Sequence, residues 1–192
     1  MTPPLVDSSP AEPAFANPLR PHVVVAGVSG TGKSTVARMV SERSGMPFAE
    51  GDEFHSPESI AAMAAGTPLT EEERPPWLRR LAAWLSRQNA EGRAGVVACS
   101  ALSRASRDVL RAAGGEVVFA QLVGPESVIA ERLAARKGHF MPASLLRSQL
   151  ETLQPLGPDE RGAQFSVERP PGEIAAEIVE RFGLAELDPG HG

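Results

Sequence analysis

Eight consecutive residues, Gly27-Val28-Ser29-Gly30-Thr31-Gly32-Lys33-Ser34, have the types and spacing to hold a phosphate. They fit the pattern of Gly, four residues, then Gly-Lys-Ser/Thr, and they follow the apolar run Val23-Val24-Val25-Ala26. Such a loop leaves a buried strand and opens a helix, as the P-loop requires. Its backbone N–H groups converge on phosphate oxygens, and the N-terminus of the following helix adds partial positive charge. Lys33 would reach the β- and γ-phosphates and the Ser34 hydroxyl would ligate Mg²⁺, with Thr35 extending the phosphate-binding run. The cofactors expected from these residues are ATP and Mg²⁺.

Phosphoryl transfer also needs a group that orients the nucleophile. Glu50-Gly51-Asp52-Glu53-Phe54-His55 offers one just beyond a second strand, which is expected to lie beside the P-loop strand. Asp52 is the candidate to accept a hydroxyl proton, and Glu50 to support the metal from outside its inner sphere. Gly-Asp is also a common turn pair. An apolar strand ending in Asp, which helps to hold Mg²⁺ in motor ATPases and GTPases, is missing: Val96-Val97-Ala98 runs into Cys99 and Ser100. With no Asn-Lys-x-Asp element either, a small-molecule kinase fits better than a GTPase.

Arg104, Arg107 and Arg111 fall at helical spacings of three and four, on one face that could grip an anionic group or simply be solvated. Arg132, Arg136 and Lys137 introduce a later insertion, where arginines on a lid could close over a triphosphate and stabilise transferring charge. Arg136 is the catalytic candidate among them. Cys99 reads as an inert buried residue, and Trp77 and Trp84, seven apart, as core packing.

The elements that must position these groups alternate. Strand-like segments at 22–26, 47–50, 95–99, 116–123 and 164–167 are separated by helical patterns at 33–44, 103–113, 125–136, 143–152 and 172–182. A polar stretch from Ser56 to Gln88 carries helical patterns broken at Gly66-Thr67-Pro68 and Pro75-Pro76. Strands alternating with helices predict an α/β fold with a parallel sheet covered on both faces. Ligands then lie beyond the carboxyl ends of the strands, where 56–88 and 136–152 would face them. A chain of 192 residues suits one domain, expected over 21–184, between a disordered Pro-rich tail at 1–20 and a second tail at 185–192. The net charge of −5 argues against a nucleic-acid surface, and no apolar run approaches a membrane span. One cysteine and no secretory signal lead to the expectation of a cytoplasmic protein.

Several phrases together resemble the gluconate kinases. They are Glu50-Gly51-Asp52 with His55, Ala62-Met63 with Gly66-Thr67-Pro68-Leu69, Arg74-Pro75-Pro76-Trp77-Leu78, and Ala98-Cys99-Ser100-Ala101-Leu102 with Arg107-Asp108 and Leu110-Arg111. Ala135-Arg136-Lys137-Gly138-His139-Phe140 and Glu151-Thr152-Leu153-Gln154 complete the likeness, which spans roughly Val23 to Asp159. The resemblance implies ATP-dependent phosphorylation of D-gluconate at its 6-hydroxyl. It implies a three-layer αβα P-loop kinase fold with a five-stranded parallel sheet and a helical lid at about 136–152, commonly in a homodimer. By resemblance, Gly27 to Ser34 cradle ATP and Asp52 faces the hydroxyl. His55, Arg74, Arg107, Arg111 and His139 become substrate contacts, with Arg136 and His139 on the lid. The family usually reads Asp-Gly-Asp where this chain has Glu50-Gly51-Asp52, and Ser103-Arg104-Ala105-Ser106 replaces a more basic, aromatic stretch. A kinase for another sugar acid or a shikimate-like hydroxy acid is the alternative from the same class, and a non-catalytic nucleotide-binding switch the one from another.

Overall fold

A computed structural model describes residues 20–65, 67, 69–70, 72–135 and 143–185. His22–Ala26 (β1) is buried along its whole length, with Val23 and Val25 in one apolar cluster and Val24 and Ala26 in another. That division follows from the two-residue period of a strand, and it requires cover on both faces. The described elements in chain order are β1, α1 (Lys33–Ser44), β2 (Phe48–Glu50), α2 (Pro57–Ala64), α3 (Arg74–Ala90), β3 (Val96–Ala98), α4 (Arg104–Arg111), β4 (Val117–Val123), α5 (Glu126–Ala134), α6 (Ala143–Thr152), β5 (Gly162–Ser166) and α7 (Pro171–Arg181).

The five strands pair in the order β2-β3-β1-β4-β5, every pair parallel. On one face Val36 and Val40 of α1, Ile129 and Leu133 of α5, Leu146 of α6 and Ile174 and Ile178 of α7 pack on Val23, Val25 and Ala120. On the other, Leu78, Leu81 and Leu85 of α3 and Leu110 of α4 pack on Val24, Val97 and Phe119. This is the expected three-layer αβα arrangement. From β1 the chain heads for β2 at one edge of the sheet and from β4 for β5 at the other, which opens a crevice at their carboxyl ends.

Three expectations need correction. β2 does not lie beside the P-loop strand: β3 sits between them, pairing Val96 with both Val23 and Phe48. Asp52 is therefore two strand spacings from β1, roughly 10 Å. Pro75-Pro76 does not break a helix but occupies the first turn of α3, where a missing N–H costs nothing. Thr70 and Glu73 exchange hydrogen bonds just ahead of it in a capping box. Arg20, assigned to the N-terminal tail, is anchored instead, donating through Nη1 to the carbonyls of Ser44 (2.7 Å) and Leu184 (2.6 Å). The rest of that tail, 1–19, and positions 186–192 lie outside the described residues, as do Arg136, Lys137 and His139.

Candidate active site

The loop between β1 and α1 is held by its own side chains. Val28 is buried, and its carbonyl accepts from Thr31 Oγ1 (2.8 Å) and from Lys33 Nζ (3.0 Å). Gly30 has φ +86°, and a Cβ there would stand 2.6 Å from Cγ of Leu133 on α5, so both backbone and packing require glycine. Ser29 N–H donates to Oε1 of Gln149 on α6 at 2.7 Å, a contact spanning 120 residues. Ser34 is half-buried and Thr35 exposed in the first turn of α1. The loop is tied to β3 by Gly27 N–H donating to the Ser100 carbonyl (3.1 Å).

The second part of the site leaves β2. Gly51–Phe54 forms a 3-10 turn that exposes Asp52 while burying Gly51. A Cβ on Gly51 would lie 2.4 Å from the Ala98 carbonyl, so the turn is pressed against the end of β3. Trp77 of α3 donates from Nε1 to the Gly51 carbonyl (2.7 Å), and Arg80 donates from Nε to the Phe54 carbonyl (2.6 Å). His55 is buried and stacked on Trp77, ring centroids 4.2 Å apart. Its Nε2 stands 3.8 Å from Asp52 Oδ1, and its Nδ1 is buried with no hydrogen-bond partner among the described residues. Trp77 thus does more than fill the core: it fixes the turn that presents Asp52. The helical spacing of Trp77 and Trp84 signalled packing and gave no hint of this polar anchor.

Cys99 lies between the two parts. Burial pushes its thiol up to about 12, and Lys33, Asp52 and Glu50 all act on it electrostatically. The P-loop and the 51–54 turn thus approach one strand end, through the Ser100 and Ala98 carbonyls respectively. Among the described residues, no three His, Cys, Asp or Glu side chains group to cage a metal.

The arginines of α4 are placed differently from the expectation that they face a substrate. Arg107 is fully buried, and Glu160 accepts from its Nε (2.6 Å) and Nη2 (2.9 Å). Nη1 donates to the carbonyls of Leu102 (3.2 Å) and Gln154 (3.1 Å), and Nη2 to that of Pro155 (3.2 Å). All five guanidinium donors are thereby committed to the protein. The Arg107 guanidinium holds the Glu160 carboxyl below its ordinary range. Arg111, partly exposed, contacts Asp108 (3.1 Å) and Asp159 (3.9 Å), and Arg104 forks onto Asp159. Arg104 N–H also donates to Gln154 Oε1 (2.6 Å), which ties α4 to the segment after α6. Arg74 opens α3, half-buried. Arg132 donates to the Val167 carbonyl just beyond β5.

A family model described as an AAA domain matches residues 23–156. The chain is 43% identical over 165 residues to a gluconokinase from Gluconobacter oxydans (strain 621H), covering 85% of this chain and 93% of that protein. Among solved structures, an unliganded sugar kinase from Janibacter sp. HTCC2649 superposes with TM-score 0.81 at 47% identity, covering 88% of this chain and 99% of its own. A gluconokinase from Sinorhizobium meliloti 1021 superposes with TM-score 0.77 at 45% identity, covering 88% and 95%.

Proposed function

We propose, from the premise that this chain belongs to the gluconokinases, that it transfers the γ-phosphoryl group of ATP to the 6-hydroxyl of D-gluconate, giving 6-phospho-D-gluconate and ADP. The observation that supports the mechanism is that the P-loop and the 51–54 turn both meet the end of β3, Gly27 N–H bonding the Ser100 carbonyl and Gly51 pressed on the Ala98 carbonyl. Lys33 stabilises charge on the β- and γ-phosphates, and the backbone of Gly27 to Ser34, with Thr35, receives them. Asp52 accepts the hydroxyl proton and sets the attacking oxygen in line. A loose transition state asks for such positioning more than for a strong base.

Mg²⁺ suits the donors present. The Ser34 hydroxyl would hold it together with phosphate oxygens, with Glu50 and Asp52 reaching its waters, and it would neutralise charge on the transferring group. Next to Asp52, His55, whose Nδ1 has no hydrogen-bond partner among the described residues, and the half-buried Arg74 are carried as gluconate contacts on the family resemblance. Arg111, partly exposed, is carried as a contact for the substrate carboxylate, whereas Arg107 supports the site from behind it. Arg136 and His139 are carried as lid contacts on the family resemblance alone. Among the described residues no helix is long and apolar enough to cross a membrane. A homodimer in the cytoplasm completes the reading, and light scattering on the eluting protein tests the assembly.

The test is coupled ADP release with ATP and Mg²⁺, comparing D-gluconate with shikimate, glucose and no acceptor. Stimulation by gluconate alone is expected; stimulation by shikimate instead would overturn the substrate. Asp52→Ala should lower turnover by about 100-fold or more with ATP affinity nearly unchanged. Near-parental turnover in the folded variant removes Asp52 from this role.

A further inference from the structure

The peptide joining Val28 and Ser29 is gripped from both sides. Its carbonyl takes hydrogen bonds from Lys33 Nζ and Thr31 Oγ1, and its N–H is given to Gln149 Oε1. Among the described residues its other hydrogen bonds come from Thr31 and Lys33, whereas Gln149 reaches it from α6, 120 residues along the chain. Gln149 is only half-buried, yet α6 is fixed nearby by Leu146, which is buried in the main core. Five residues on, Gln154 ties the end of the same segment to Leu102 and Arg104. The side chain therefore stands on an anchored element.

We propose that Gln149 is a positioning residue for Lys33. A hydrogen bond at the N–H of a peptide polarises its carbonyl, making it a stronger acceptor, and it also sets the plane in which that carbonyl points. Both effects act on the Val28 carbonyl, the atom 3.0 Å from the Lys33 ammonium. Gln149 thus holds Lys33 at the mouth of the loop before nucleotide arrives. The Ser29 N–H, which the motif alone would assign to a phosphate, is in this structure committed to Gln149.

The chain contains two lysines, Lys33 and Lys137, so the state of Lys33 can be read directly against an internal reference. The experiment is competitive acylation of the nucleotide-free protein, with the Lys33-to-Lys137 labelling ratio resolved by mass spectrometry. An ammonium that donates to a strong acceptor stays protonated and reacts slowly. Gln149→Met keeps the length of the side chain and removes its accepting oxygen. The ratio should rise by about fivefold, the factor to which one ordinary hydrogen bond corresponds. Turnover should fall by about tenfold or more through misplacement of a catalytic group, with gluconate KM within about twofold. Gln149→Glu, which keeps the accepting oxygen, should restore the parental labelling ratio. An unchanged ratio in Gln149→Met overturns the proposal, as does a rise that Gln149→Glu shares. If the Met variant is unfolded by circular dichroism, Gln149→Ala takes its place with the same reading: a raised ratio supports the role and a parental one overturns it. The turnover arm rests on the kinase reading above, but the labelling arm does not depend on which acceptor is phosphorylated.

Discussion

Replacing Arg107 with Met separates a buried strut from a substrate ligand. The Met side chain fills most of the space of the arginine stem but removes all five donors. Glu160 would then stay buried, with Gly157 N–H at 2.8 Å and Arg104 Nη1 at 3.9 Å as its remaining support. The Pro155 carbonyl would lose its Arg107 donor as well, while those of Leu102 and Gln154 would keep only Gln154 N–H and Gln121 Nε2. Breaking a buried pair by removing one partner costs about 3–5 kcal/mol, a large share of the roughly 5–15 kcal/mol that holds a domain folded. At about 2–4 °C per kcal/mol for a chain of this size, the melting temperature should fall by about 6–20 °C. Removing both charges, Arg107→Met with Glu160→Leu, should recover part of the loss, since a hydrophobic pair of similar volume often replaces a buried ion pair at little cost.

The acid side gives an independent reading. Because Arg107 depresses the Glu160 carboxyl below its ordinary 4.5, the unfolded chain binds the proton first as pH falls. The pair's contribution is complete above about pH 4.5 and is lost as pH falls through the lower folded value. Arg107→Met should therefore lose that part of the acid-side slope. Urea unfolding followed by circular dichroism at several pH values measures both effects, with gluconate KM taken where the variant is folded. A stability loss below about 1 kcal/mol together with a KM raised more than about tenfold would refute this reasoning and return Arg107 to the substrate.

His22 is buried with Nδ1 accepting from Gly95 N–H (2.9 Å), so its proton sits on Nε2, facing the Gly114 carbonyl (3.0 Å). Burial lowers its titration below the ordinary 6.5, so the unfolded state gains the proton first. Stability should be full above about pH 6.5 and fall as pH drops below it, by at most about 1.4 kcal/mol per pH unit, and His22→Gln should flatten that slope in chemical denaturation. Trp77→Phe keeps a ring against His55 but removes the indole N–H that Gly51 accepts, a loss of about 0.5–1.5 kcal/mol. Turnover should fall more than ATP affinity because the turn carrying Asp52 loosens; parental turnover in a folded variant removes the anchor role. Cys99, with its thiol pushed up to about 12, should resist iodoacetamide at pH 8 in the native state and react once in denaturant. One equivalent of native labelling would show that the end of β3 is open.

What could be read from the sequence divides by the range of the interaction. The P-loop was legible because its function is encoded locally: glycines for backbone geometry, a lysine and a hydroxyl at fixed offsets, and an apolar strand before them. Strand and helix order was legible for a similar reason, since periodicity is a property of short windows. Sheet order was not, because the insertion of β3 between β1 and β2 is set by which strands pair across the chain, and equally apolar runs look alike. The α4 arginines show the same limit at the level of one residue. Their spacing placed them on one helical face, but whether that face meets ligand, water or protein depends on Glu160, 53 residues beyond Arg107. A buried arginine is affordable only with such a partner, so the decisive residue was an unremarkable Glu in a loop. Gln149 is the extreme case: its segment was expected to face the ligand, but nothing in its type or spacing marks the residue itself, and only the fold carries it 120 residues back to Ser29. The groups that perform chemistry announce themselves by type and spacing, whereas those that hold them in place become visible only once the chain has closed on itself.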